Sequence, residues 1–320
     1  MTKKKIDENI LEQVEKLEKK YGAMGQDLSS YLDGLLYADY LTYWDYIHLD
    51  TLLTLQTPKT PFPDEMVFIM YHQITELYFR MILFEIDSIA DNSELLSDEF
   101  LKKIGRINRY LQNLESSFDI MIDGMDRDQF LKFRMSLLPS SGFQSAQYRK
   151  IELSCTNIEN LLNEDHRKFL GKSKDVEYFI NALYWKQGAT ELATGKKTLT
   201  LKQFEDKYHD EFVKTAVKFK DKNLAYIYKN RFAKGDENGK IKECLKELDV
   251  RANISWRLAH YKSAVRYLQK DPEDIKATGG TNWQKYLPPR FQRVIFFPEL
   301  WSEKEISDWG KNWVVKEVFG

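Results

Sequence analysis

From Asp64 to Asp87 the chain reads DEMVFIMYHQITELYFRMILFEID, and this run limits the possible folds more than any other. Val67, Ile69, Met70, Ile74, Leu77, Phe79, Ile82, Leu83 and Phe84 place apolar groups nearly all round a helix. That pattern predicts a central, buried helix in an all-α, bundle-like fold. One imidazole sits in it. Residues four apart share a helix face, so Phe68, His72 and Glu76 form one row, with Arg80 a turn further on. A lone histidine on an apolar helix is most often a core group bonded to a backbone carbonyl.

A second histidine of the same kind changes the weighing. In NISWRLAHYKSAVRYL, His260 follows Trp256 by one turn on a helix whose apolar positions are Leu258, Ala264, Val265 and Leu268. The remaining three of the five histidines, His48, His166 and His209, stand in more polar surroundings. Two imidazoles on apolar helices, without a matching set of cysteine or carboxylate ligands, suit a planar cofactor between helices better than a zinc or di-iron cage.

The balance of 48 basic and 49 acidic residues gives a formal charge of −1 and no basic stripe, so nucleic acid is not an expected partner. Cys155 and Cys244 are the only cysteines, which implies no disulfide framework and a reducing compartment. The opening MTKKKIDENILEQVEKLEKKYG lacks the apolar core of a signal peptide, and no run reaches the roughly 18 apolar residues of a membrane span. A soluble, cytoplasmic protein is expected, with no membrane partner.

Along the chain, Ile10, Leu11, Val14 and Leu17 mark an amphipathic helix over 6–20 that must dock on something. A tyrosine-dense stretch, SYLDGLLYADYLTYWDYIHLDTLLTLQ, then leads through TPKTPFP to the central helix. Leu101, Ile104, Ile107, Leu111, Leu114, Phe118 and Met121 predict another helix over 97–123. In DRDQFLKFRMSLLPSSGFQSAQYRKIE, Arg134 lies between Phe133 and Met135, either as a surface group or as an interior anchor whose planar fork grips a carboxylate. Residues of about 160–250 are lysine-rich and predict a small helical cover subdomain within one domain spanning 1–320, with 1–40 as a helical arm. Gly279 and Gly280 allow close backbone approach in the loop DPEDIKATGGTNWQKYLPP. No Rossmann or Walker glycine pattern and no nucleophile elbow is present.

Several of these blocks together resemble the tryptophan 2,3-dioxygenase family: YWDYIHLDTLLTLQ, DEMVFIMYHQITELYFRMILFEI, FRMSLLPSSGFQSAQYRKIE, WRLAH, and ATGGTNWQKYL followed by FFPELW, in that order over residues of roughly 40–302. The resemblance implies an all-helical fold carrying heme b, with Fe2+ in the active state, in a homotetramer built as a dimer of dimers. It implies that L-tryptophan and O2 are converted to N-formylkynurenine, the first step of the kynurenine pathway. On this likeness His260 is the proximal iron ligand and His72 the distal histidine. Phe68, Phe130, Leu137 and Arg134 meet the substrate, Arg134 at its carboxylate and Thr278 at its ammonium and carboxylate. Ser141, Gly142 and Trp256 lie against the heme. Tyr43 and Tyr46, with Ile47, come from a neighbouring subunit to close the indole pocket.

The chain departs from the family at Phe130, where some bacterial members have tyrosine, and at Ala277, Thr281, Asn282 and Trp283 around the glycine loop. Pro63 also replaces a histidine. Two other readings compete: a heme oxygenase acting on a modified indole or aromatic amino acid, and a non-catalytic heme sensor or carrier. Arg134 weighs against a carrier, which needs no clamp for an amino acid's carboxylate.

Overall fold

The computed structural model describes residues 6–137, 140, 142–167, 175–190, 196–268 and 293–310. Asp7 starts the first helix, α1 (Glu8–Ala23), by accepting from the Asn9 amide, and Asp27 caps α2 (Leu28–Leu36) by taking the Ser29 and Ser30 amides. Thr42 caps α3 (Tyr43–Tyr46), and His48, in the left-handed region at φ 51°, leads into α4 (Leu49–Leu52). These helices lie in a compact unit of their own, Met1–Thr57, and Leu28 is the only buried residue among those described in it. Its aromatic segment is open, with Tyr43 70% and Tyr46 74% exposed.

The second unit, Pro58–Gly320, opens on the central helix α5 (Asp64–Ala90). Asp64 and Glu65 occupy its first turn, where the helix dipole favours negative charge. Buried Glu65 accepts the Lys59 and Thr60 amides at 2.8 and 2.7 Å, which ties down the entry to the helix. Packed on α5 are α6 (Ser97–Ser117), α7 (Asp119–Ile122), α8 (Arg127–Phe133) and α9 (Ala146–Cys155). The helix expected over 97–123 is thus divided at Phe118, a buried residue of the site described below.

The chain continues through α10 (Glu164–Arg167), α11 (Val176–Asn181), α12 (Tyr184–Gly188), α13 (Leu199–Phe219), α14 (Leu224–Ile227), α15 (Lys240–Val250) and α16 (Trp256–Leu268). Helix α13 packs on α9 and α11, and α15 on α6. Leu201, Phe204 and Phe212 join Ile82, Ile86 and Ile104 in one hydrophobic cluster, so the lysine-rich region shares the core of the central helix. Among the described residues there is no β-strand, and no helix is long and apolar enough to cross a membrane.

The central helix differs from its expected burial on all sides. Ile82, Ile86 and Ile89 are fully buried, but Met70, Ile74, Leu77, Met81 and Phe84 are exposed, Phe84 by 67%. Their alternating spacing of four and three residues makes one continuous apolar stripe that this chain's own core does not use.

Asp249, fully buried near the end of α15, gathers four donors: the Phe296 and Phe297 amides at 2.8 and 3.1 Å, Trp301 Nε1 at 3.0 Å and Asn253 Nδ2 at 2.8 Å. Burial pushes its carboxyl up to about 6, against the pull of those donors. Asp249→Ala would strand two buried backbone amides and should cost about 3 kcal/mol or more, read as a lowered urea midpoint.

Candidate functional site

His260 lies on α16, one turn after Trp256, and its Nδ1 is 2.9 Å from the Trp256 carbonyl oxygen. A carbonyl can only accept, so Nδ1 carries the proton and the Nε2 lone pair is left for another partner. Burial pushes the imidazole's pKa down to about 4, opposed by the Trp256 hydrogen bond and helped by the nearby guanidiniums of Arg257 and Arg149. The ring is therefore neutral at neutral pH, as a metal ligand must be.

His72, on α5, repeats the arrangement with Nδ1 2.7 Å from the Phe68 carbonyl oxygen. Burial lowers its pKa, opposed by the Phe68 hydrogen bond and by Glu76. Its side-chain surface is nonetheless exposed. One side of the ring is open while Phe68 and Tyr71 pack against it, at 4.1 and 6.0 Å between ring centroids.

Aromatic rings connect the two histidines. Tyr71 meets His72 edge-on at 6.0 Å and Phe118 at 5.7 Å, and Phe118 lies 4.5 Å from His260 between ring centroids. Trp256 also packs on His260, at 4.5 Å. On the other side of His72, Phe68 lies at 4.1 Å and leads to Phe133 at 5.7 Å and Phe130 at 6.3 Å. The structure thus brings Phe68, His72, Phe130, Trp256 and His260 into one aromatic assembly built from α5, α8 and α16.

Arg134 follows Phe133 directly, in the 3-10 turn Arg134–Leu137. It is 5% exposed, so its guanidinium is buried and not a surface group, and burial lowers its pKa. Leu137 closes the same turn and is half-buried. Gly142 opens a second 3-10 turn; a Cβ there would meet no atom within 4 Å, and its φ is not left-handed.

Tyr43, Tyr46 and Ile47 belong to the first unit, on α3 and its C-cap, and all three are exposed. Ser141 and Thr278 lie outside the described residues.

Sequence reasoning missed two parts of this region. Phe118 read only as one step of an ordinary core stripe, and Tyr71 was not singled out, because helical spacing does not reveal which rings meet across helices. The second part is a buried polar cluster: Glu152 accepts Arg149 Nη1 at 2.8 Å and also the Tyr184 hydroxyl, which in turn receives Arg257 Nη2 at 2.6 Å. Its residues come from α9, α12 and α16, too far apart in sequence to form a motif, although Arg257 stands inside WRLAH.

The protonation state of His260 makes a testable contribution to stability. Its folded pKa of about 4 lies below the 6.5 of a free imidazole, so the unfolded chain binds the proton more tightly. The contribution is fully present above about pH 6.5 and is lost as pH falls toward 4. The stability difference between wild type and His260→Gln, from urea unfolding of the cofactor-free protein, should shift against the wild type over that interval.

Comparison with known proteins supports one lineage. The family model described as "Tryptophan 2,3-dioxygenase" matches residues 36–177. The tryptophan 2,3-dioxygenase of Exiguobacterium sibiricum is 30% identical over 281 residues, covering 82% of this chain and 91% of the relative. That of Polaromonas sp. strain JS666 is 28% identical over 267 residues, covering 82% and 86%. A likeness at 30% identity that covers 82% of this chain and 91% of the relative identifies the chain as a member of the tryptophan 2,3-dioxygenase family.

Proposed function

We propose that this chain cleaves the indole ring of L-tryptophan with O2, inserting both oxygen atoms across C2=C3 to give N-formylkynurenine, with a heme b held by His260. One observation carries the site assignment: two imidazoles on separate helices, joined through the rings of Tyr71 and Phe118, each with Nδ1 committed to a carbonyl four residues back. That leaves both Nε2 lone pairs for ligands, and the His260 donor set fits a heme iron. Bound in the Fe2+ state, the heme supplies the dioxygen activation that no side chain provides.

The side chains do the rest. The Nε2 of His72 accepts the indole N–H and fixes the ring's rotation. Arg134 pairs its fork with the substrate carboxylate in a desolvated setting, so substrates lacking a carboxylate are rejected. Phe68, Phe130 and Leu137 enclose the indole, and Thr278 meets the ammonium and carboxylate. Trp256, Ser141 and Gly142 would bound the heme. His72 holds its ring in place through the Nδ1 bond to the Phe68 carbonyl, which directs Nε2 to the indole N–H.

The same reading gives a homotetramer assembled as a dimer of dimers in the cytoplasm. The open stripe on α5 and the almost coreless first unit are apolar surfaces that a second copy would cover, bringing in Tyr43, Tyr46 and Ile47. Leu77→Glu puts a charge in that stripe and should lower the sedimentation coefficient toward that of a single chain.

The decisive test is to reduce the heme-loaded protein without oxygen and then add L-tryptophan and O2. N-formylkynurenine, with two added oxygen atoms and no demand for external reductant, is the expected product. A product with one added oxygen, or no response of the ferrous heme spectrum to tryptophan, would overturn the assignment.

A further inference from the structure

The helix that carries His260 is not a regular α-helix. Helix α15 runs into α16 through a π turn, Arg251–Ser255, ending one residue before the WRLAH segment. A π turn adds one residue to a helix and commonly marks a functional position. Here the added residue rotates everything after it, His260 included, by about 100° relative to α15. Its cost is a carbonyl that the helix ladder passes over. The Trp256 amide reaches back five residues to the Arg251 carbonyl, and beyond it α16 resumes spacing of four, so the Ala252 carbonyl is the one skipped. Ala252 is buried, out of reach of water that could take the place of an amide.

The Tyr148 hydroxyl fills that gap, donating to the Ala252 carbonyl oxygen at 2.8 Å in a fully buried contact. Tyr148 itself is held firmly. Its ring packs on Phe79 at 5.3 Å, Phe79 meets Trp256 at 5.8 Å, and the Arg149 guanidinium lies over its face at 4.9 Å. Asn253, inside the turn, adds a second tie through Nδ2 to Asp249 at 2.8 Å. We infer that Tyr148 is a positioning residue for the proximal ligand: by satisfying the carbonyl that the π turn skips, it holds the turn open and thereby sets the direction in which His260 presents Nε2 to the heme iron. This rests on His260 being the iron ligand, and it assigns Tyr148 a role on the ligand's own helix, with no contact to the reacting atoms.

The test uses the heme-loaded protein in its ferrous, ligand-free state, with the iron–histidine stretching band of the resonance Raman spectrum as readout. Tyr148→Phe keeps the ring and removes only the donor; the band should shift or split, and heme should dissociate on the order of tenfold faster. Ser154→Ala is the control, because it removes a buried hydroxyl that donates to the Ile151 carbonyl at 3.0 Å, within α9 and with no bond to the π turn or to Asp249. It should lower stability without moving the band. Should Tyr148→Phe fail to fold, 3-fluorotyrosine at position 148 keeps the hydroxyl, strengthens its donation and should displace the band in the opposite sense. A band that is present in wild type and unmoved by the Tyr148 changes, or moved equally by Ser154→Ala, overturns the inference. Absence of any iron–histidine band from the wild type would instead mean that His260 is not the ligand.

Discussion

His260→Ala should yield a folded protein that no longer retains heme. The substitution places the best helix former in a helix, at a side chain that is only partly buried, so α16 should persist and the far-ultraviolet dichroism should match wild type. What disappears is the axial bond. Losing groups that merely support a metal ligand costs about 10–100-fold in affinity, and losing the ligand itself should exceed that range. The measurement is the Soret absorbance of purified protein after gel filtration with added heme. His260→Gly with free imidazole should recover part of it, because the small base can occupy the space of the missing ring. His72→Ala should keep the Soret band and lose rate, which separates the two histidines by function. Equal heme retention in His260→Ala and wild type would refute the proximal assignment.

The helices that bear these two imidazoles were largely readable in the sequence. The apolar run beginning at Asp64 extends to Ala90, three residues past the expected end, because Ser88, Ile89 and Ala90 continue the same helix. Periodicity could not say which apolar face meets this chain's core. Ile82, Ile86 and Ile89 turn inward while Leu77, Met81 and Phe84 stay open, and both sets have the same composition. The division of 97–123 at Phe118 was hidden for a similar reason: Phe118 and Met121 keep the helical spacing on either side of the break. The π turn before Trp256 leaves no compositional mark, since its signal is a five-residue hydrogen bond and a tyrosine about a hundred positions away. The buried Glu152 cluster likewise depends on groups that only the folded chain brings together. What sequence did convey about the site came from residue types rare in their surroundings: an imidazole on an apolar helix, and an arginine between Phe133 and Met135.

Arg134 carries the second large effect. Arg134→Ala should leave heme binding intact and raise the Kd for L-tryptophan by about 100-fold or more, since breaking one side of a buried ion pair leaves the carboxylate desolvated and unpaired, a penalty of about 3–5 kcal/mol. Arg134→Lys should recover only part of this, because an ammonium is a point charge and cannot reproduce the two parallel bonds of a guanidinium. The comparison that isolates the contact uses tryptamine, which has the indole and the ammonium but no carboxylate. Wild type should bind tryptamine far more weakly than tryptophan, and Arg134→Ala should bind the two nearly alike, so the coupling between side chain and carboxylate is read as a double-mutant cycle with one partner on the ligand. The ferrous heme spectrum reports binding in all four combinations without turnover. If Arg134→Ala still prefers tryptophan by the wild-type margin, the carboxylate is held elsewhere, and burial of this guanidinium at the end of α8 serves only to pack the turn that follows Phe133.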